Sequence, residues 1–322
     1  MRIINSISYC PPLGFRGLGD LYLPDNVTPE TRAVLTIHGG GWSAQEKSTF
    51  SGVAIWLCSE LNMAVYNINY RLSSIAPWPA CGDDCLEAGR FFLDAEIPEF
   101  QGFDRKRIFV MGGSAGGHLA LMTGLRLPPE RIAGIVSISG IADVEADFPV
   151  DPMRYKILLG HTPAKEDFAE ISPATYLTPA SPAILCTHEH HDNVVPIASA
   201  ERFLEAVQKN GSAGEACFYD KDENGYSHRI WIPDSVPHKL YPELENRIAK
   251  FLKERNYHIA NIHVPKTNDN DLPLPENIPT FGYQSAKAAG STIATIFSED
   301  TTFPYPIFIN LTVPIITPYS IF

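Results

Sequence analysis

Gly112-Gly113-Ser114-Ala115-Gly116 sets one serine among glycines. The apolar run Arg107–Met111 leads into it, and the helical pattern His118–Leu125 leads away. Strand, G-x-S-x-G, helix is the pattern of a strained turn that lifts a serine hydroxyl clear of the backbone. The glycines are required because a Cβ there would strike the strand or the helix. The helix N-terminus favours a developing negative charge. The chemistry open to Ser114 is therefore nucleophilic attack on a carbonyl carbon. A serine at neutral pH is a weak nucleophile, so it needs a base, a group that orients the base, and donors for the oxyanion.

All three have candidates. His38-Gly39-Gly40-Gly41-Trp42 follows the apolar run Ala33–His38. Three bare glycines let backbone N–H groups of Gly40 and Gly41 approach a reacting oxygen, together with the N–H of Ala115. One such donor is worth a rate factor of about 10² to 10³. The orienting acid is expected after the next-to-last strand, where Ala183–Thr187 runs into His188-Glu-His-His-Asp192-Asn-Val-Val-Pro196; Asp192 is the candidate. The base is expected after the last strand, Ala216–Tyr219, where His228 lies in a turn before the final helix. His238 and His161 are its rivals. The chain order Ser, Asp, His matches one known arrangement of this triad. Glu189 and its flanking histidines invite a metal reading. However, H-E-H-H-D is not H-E-x-x-H, and three close-set histidines cannot all face one ion from a strand end. No metal and no cofactor is expected. Trp42, Trp78 and Trp231 are candidate pocket walls, with core packing the equal alternative.

Elements that could position these residues alternate along the chain. Strand patterns occur at Ile3–Tyr9, Gly17–Leu23, Ala33–His38, Ala64–Asn69, Arg107–Met111, Ile135–Ser139, Ala183–Thr187 and Ala216–Tyr219. Helical patterns occur near Ser48–Leu61, Cys81–Leu93, Ala115–Leu125, Ile197–Asn210 and Pro237–Arg255. Alternation of this kind predicts an α/β fold: a mostly parallel eight-stranded sheet flanked by helices, with the two opening strands as an antiparallel edge. Residues 1–256 read as the catalytic domain. Within it, residues 141–180 are proline-broken and read as a small insertion that could cap a pocket. Residues 257–322 read as an extension, low in charge and with apolar stretches such as Ile307–Ile316. Such a segment should pack on its own domain, reach over the site or pair with a second copy of the chain.

Composition narrows the partners. The chain has 322 residues and a net charge of −12, which argues against nucleic acid or an anionic membrane surface as the main partner. No run is long and apolar enough to span a bilayer. The N-terminal residues lack the pattern of a signal peptide, so a cytoplasmic location is expected unless a leader was removed. The six cysteines, Cys10, Cys58, Cys81, Cys85, Cys186 and Cys217, contain no CxxC pair and read as free thiols.

Taken together, several motifs resemble the α/β-hydrolase superfamily over about residues 15–255. They are His38-Gly-Gly-Gly-Trp42, Asn69-Tyr-Arg-Leu72 with Pro79, Phe103–Ile108, Gly112–Ala120, Asp192–Pro196 and His228. Within that superfamily the chain is similar to esterases and lipases related to hormone-sensitive lipase and to small carbohydrate-ester hydrolases. The resemblance implies Ser114, Asp192 and His228 as the triad and Gly40, Gly41 and Ala115 as the oxyanion hole. It implies a small-molecule ester as substrate, cleaved through an acyl-enzyme. The H-G-G-G motif begins at residue 38, leaving little room for N-terminal cap helices. That favours the compact carbohydrate-esterase type, such as feruloyl or acetyl xylan esterases. His-Glu-His-His precedes Asp192 where relatives often carry glycine, and the tail after 256 has no recognised counterpart. H-G-G-G-W is also similar to the H-G-G-x-W of kynurenine formamidases, so amide hydrolysis by an arylformamidase or peptidase is the second expectation. A non-catalytic binding protein on the same fold is the third.

Overall fold

The computed structural model describes residues 1–220, 228, 230, 232 and 235–255, together with the backbone of 284–288 and 291–295. Eight strands form one sheet: β1 (Arg2–Ser8), β2 (Leu18–Leu23), β3 (Arg32–Ile37), β4 (Ala64–Ile68), β5 (Asp104–Gly113), β6 (Ile132–Ile138), β7 (Ile184–Glu189) and β8 (Gly214–Tyr219). Their order is β1-β2-β4-β3-β5-β6-β7-β8. β1 pairs antiparallel with β2, and β2 with β4; every later pair is parallel. This is the mostly parallel eight-stranded α/β sheet that the sequence predicts, antiparallel edge included.

Strand side chains alternate between two cores because successive Cβ atoms point to opposite faces. Ala33, Leu35, Ile37, Ile108 and Val110 pack on one face with helices α2 (Ala80–Asp94), α3 (Ala115–Arg126) and α7 (Ile197–Lys209). Val34, Phe109, Met111, Val136 and Ile138 pack on the other with α1 (Ser51–Ser59) and α8 (Pro242–Glu254). Burial on both faces explains why the central strands read as continuous apolar runs.

Residues 141–180 carry α4 (Val144–Asp147), α5 (Pro152–Leu159) and α6 (Lys165–Ile171). Asp143 and Asp151 cap α4 and α5 by accepting from Ala146 N and Arg154 N, the usual way an aspartate satisfies open N–H groups of a first turn. All six cysteines are free. Among the described residues no helix is long and apolar enough to cross a membrane.

The chain divides into two compact units, Met1–Ile259 and Ala260–Phe322. In the second, β9 (Gln284–Ala288) and β10 (Ser291–Thr295) form an antiparallel hairpin with Ala288 opposite Ser291. The other expectations for residues 257–322 lie outside the described residues.

Candidate active site

Ser114 stands between the end of β5 and the start of α3, with φ 55° and ψ −126°. That region is costly for a residue with a side chain, and it persists only where the surroundings impose it. They do so here. Ser114 N donates to Ile138 O at 2.9 Å, and Ser114 O accepts from Gly117 N at 2.8 Å. A Cβ on Gly116 would lie 2.3 Å from Ile37 O and 2.4 Å from His38 O, so α3 can only start this close to β3 without one.

The loop after β3 is fixed from behind. The Tyr70 hydroxyl donates to His38 O at 3.1 Å and to Gly39 O at 3.2 Å. Its ring stacks on His38, with centroids 4.3 Å apart. Gly40 O accepts from Ser43 N and Ala44 N at 3.1 and 3.0 Å. Across a trans peptide the C=O and the following N–H point in opposite directions. With the Gly39 carbonyl engaged by Tyr70 and the Gly40 carbonyl by Ser43 N and Ala44 N, the N–H groups of Gly40 and Gly41 are each directed away from those partners. Gly40 has φ 106°, and a Cβ there would meet Ala44 O at 2.2 Å.

Among the described residues Trp42 is not in the lining of the cavity at Ser114. It is fully buried; its indole N–H donates to His118 Nδ1 at 3.2 Å, and His118 Nε2 donates to Ile171 O at 2.7 Å. Trp78 is likewise in the core, donating to Glu170 at 2.8 Å. Both aromatic rings are scaffold rather than wall. Trp231 lies outside the described residues.

Asp192 follows β7 in a tight turn. Its Oδ1 accepts from Val194 N and Val195 N, both at 2.9 Å. Its Oδ2 accepts from His228 Nδ1 at 2.7 Å and faces His188 Nε2 at 3.3 Å. Burial alone would raise the Asp192 carboxyl. The hydrogen bonds from His188 and His228 outweigh it and hold the carboxyl down at about 2, so the group is ionised at neutral pH. A carboxylate only accepts, so the proton shared with His228 sits on Nδ1. The Nε2 of neutral His228 is then an unprotonated acceptor. It is buried and has no hydrogen-bond partner among the described residues.

Gly39, Gly40, Gly41, Gly113, Ser114, Val194 and His228 line one cavity of about 280 Å³. Ala115 follows Ser114 as the first residue of α3. A larger cavity of about 470 Å³, between α1 and α8, contains none of these groups. His238 also lines the Ser114 cavity, but the Asp192 carboxylate is directed to His228. His161 pairs instead with Asp167 at 3.0 Å in the insertion.

Two contributors escaped the sequence. His188 steadies Asp192 while donating to Val195 O at 2.8 Å. Arg154, on α5, reaches Asp147 Oδ2 at 2.5 Å and Val194 O at 3.4 Å. Nothing in the local sequence marks Arg154; a histidine four residues before the acid was the available sign for His188.

A family model described as BD-FAE matches residues 19–207. Over 207 residues the chain is 26% identical to a probable carboxylic ester hydrolase, LipM, of Mycobacterium tuberculosis, covering 58% of this chain and 47% of that one. Over 103 residues it is 34% identical to arylacetamide deacetylase of Bos taurus, covering 31% of this chain and 26% of that one. The chain thus spans about half the length of the first relative and about a quarter of the second. Among solved structures it superposes on a truncated carbohydrate esterase from gut microbiota with a TM-score of 0.68 at 21% identity, covering 79% of this chain and 96% of that one. It superposes on a propionate-bound esterase, Est2, of Thermogutta terrifontis with a TM-score of 0.62 at 20% identity, covering 78% and 94%. At these identities the superpositions establish the α/β-hydrolase fold.

Proposed function

The chain belongs to the BD-FAE family, and from that premise we propose that it is a carboxylic ester hydrolase working through an acyl-enzyme on Ser114. The observation that carries the reading is the 2.7 Å bond from His228 Nδ1 to an ionised, buried Asp192. It leaves Nε2 as the base, and His228 lines the same cavity as the strained Ser114. His228 takes the Ser114 proton as Oγ attacks the ester carbonyl. The N–H groups of Gly40, Gly41 and Ala115 receive the oxyanion. His228 returns the proton to the leaving alcohol, and water releases the acid by the same route. Asp192 holds the tautomer and stabilises the imidazolium that forms. No step calls on a cofactor.

The substrate class is a short-acyl or carbohydrate ester, such as an acetyl or feruloyl ester. The cavity of about 280 Å³ suits a small acyl group, and the structural neighbours include a carbohydrate esterase and an esterase with propionate bound. Amide hydrolysis is the second reading, favoured by the match to an arylacetamide deacetylase. An assay panel of acetyl-sugars, feruloyl esters, acyl chains of increasing length and aryl amides separates the two.

Ser114→Ala should abolish turnover of p-nitrophenyl acetate while leaving the thermal transition in place. Wild-type turnover by that variant would refute the assignment. A fluorophosphonate probe should label wild type and not the variant; failure to label wild type would favour a hydrolase-fold binding protein instead.

A further inference from the structure

β7 and β8 end side by side, with Glu189 opposite Tyr219. Their ends bring together residues that are distant in sequence. Ligand atoms of Glu189, His191 and Asp220 all lie within 4.8 Å of one another. We propose that these three residues form a divalent transition-metal site, suited to Zn²⁺, that ties the loop carrying Asp192 to the loop carrying His228.

The His191–Asp220 spacing is close to what an ion needs, and the set as a whole, within 4.8 Å, would have to draw in to close on one. His191 Nε2 stands 3.6 Å from Asp220 Oδ1, longer than a direct charge-assisted hydrogen bond of about 2.7–2.9 Å. Ligand atoms around a tetrahedral Zn²⁺ with bonds of about 2.0–2.1 Å sit about 3.3–3.4 Å apart. One imidazole nitrogen with two carboxylates suits Zn²⁺, whereas Mg²⁺ and Ca²⁺ take oxygen ligands. The site is also partly built in advance. Glu189 is buried at the end of its strand, and its Oε2 accepts from His191 N at 2.8 Å, which fixes the carboxylate. His190 Nδ1 donates to Asp220 Oδ1 at 2.9 Å, orienting it as outer-shell groups orient metal ligands. The side chains of His191 and Asp220 are 60% and 68% exposed, so an ion can reach them from solvent, and water can complete the coordination.

The consequence follows from chain positions. His191 is the residue before Asp192, and Asp220 precedes His228 by eight residues. An ion held between them pins the acid loop to the base loop at their roots. The ion takes no part in bond making. The sequence alone argues against a metal at His188–Asp192, because one strand end cannot turn three histidines onto one ion. The third ligand comes from the neighbouring strand.

The test is titration of the full chain with ZnCl₂ by calorimetry after EDTA treatment and dialysis. Wild type should take up one equivalent and show a higher Tm with Zn²⁺ than in EDTA; Mg²⁺ should do neither. His191→Gln and Asp220→Asn should each weaken Zn²⁺ binding at least about tenfold and lose the Tm increase, with their Tm in EDTA reporting that they fold. Ser114→Ala should bind Zn²⁺ as wild type does, so the result is independent of the ester-hydrolase reading. Absence of a one-equivalent site in wild type overturns the proposal. So does wild-type affinity in both folded variants.

Discussion

Ser114 is held by its neighbours rather than by its own preferences. Its left-handed φ of 55° survives because backbone bonds to Ile138 and Gly117 fix both sides of the turn. The opposing glycine loop, the proposed oxyanion loop, is held by the Tyr70 hydroxyl and by His38 Nδ1, which donates to Gly39 O at 2.7 Å. Tyr70 is the bifurcated donor to His38 O and Gly39 O, and the buried His38 O depends on it for a side-chain donor, whose loss is costly. Tyr70→Phe removes that hydroxyl and little else. It should cost about 1–3 kcal/mol of stability and lower kcat for p-nitrophenyl acetate about tenfold or more, with KM little changed, because donors to the oxyanion act mainly in the transition state. An unchanged kcat in a folded Tyr70→Phe protein would show that the loop holds its shape without the bond.

At the scale of elements, the insertion is tied to both halves of the site. Trp42, His118 and Ile171 form a chain of hydrogen bonds from the oxyanion loop through α3 to the end of α6. Arg154 on α5 spans from the buried Asp147 to the carbonyl of Val194, two residues past Asp192, the proposed triad acid. Tyr155 donates to the same Asp147 oxygen at 2.5 Å. Burial pushes the Asp147 carboxyl up, against the pull of Arg154 and Tyr155. Among the described residues, none of residues 141–180 lines the Ser114 cavity. Arg154 is the near approach, its Cδ 3.9 Å from where a Gly41 Cβ would sit. Arg154→Ala should lower unfolding stability in urea by about 3 kcal/mol, since it leaves a buried carboxylate without its cation. Adding Asp147→Asn should restore part of the loss by removing that charge. Equal urea midpoints for wild type and Arg154→Ala would exclude this role.

At the scale of the whole molecule, two histidines are locked neutral inside the fold. Burial lowers His38 and His118 to about 4 each, against about 6.5 in the unfolded chain. Between those values the unfolded state binds more protons than the folded one. The stability they contribute is therefore complete above pH 6.5 and is lost as pH falls toward 4. The full window is worth up to about 3 kcal/mol per histidine. Thermal denaturation should show Tm falling between pH 7 and pH 5. His118→Gln should be less stable at pH 7 yet lose less over that interval. A pH slope identical to wild type would remove His118 from the explanation.

How much was legible differs by element. The eight strands and five main helices could be read because buried parallel strands are apolar runs and their helices have a 3.6-residue period. The candidate site was legible where a motif constrains backbone: Ser114 by its glycines, Gly40 and Gly41 by theirs. Asp192 and His228 were placed by position after a strand, and the structure sets them 2.7 Å apart. Trp42 stayed open between pocket wall and core because an aromatic after a glycine run carries no local sign of facing in or out; it is buried. His118 beneath it decides that. The extension beyond 256 gave composition without periodicity, so its role stayed open.

The sequence by itself determined which backbone could form: where strands lie, where a helix must begin close to a strand, and that a serine sits on that turn. These are local consequences of side-chain period and missing Cβ atoms. Tertiary structure decided which distant groups meet. It pairs Asp192 with His228 rather than His238. It sets Tyr70 against the carbonyls of His38 and Gly39, and it brings Asp220 to His191. Such meetings depend on strand order and loop paths, which one chain's local propensities do not encode.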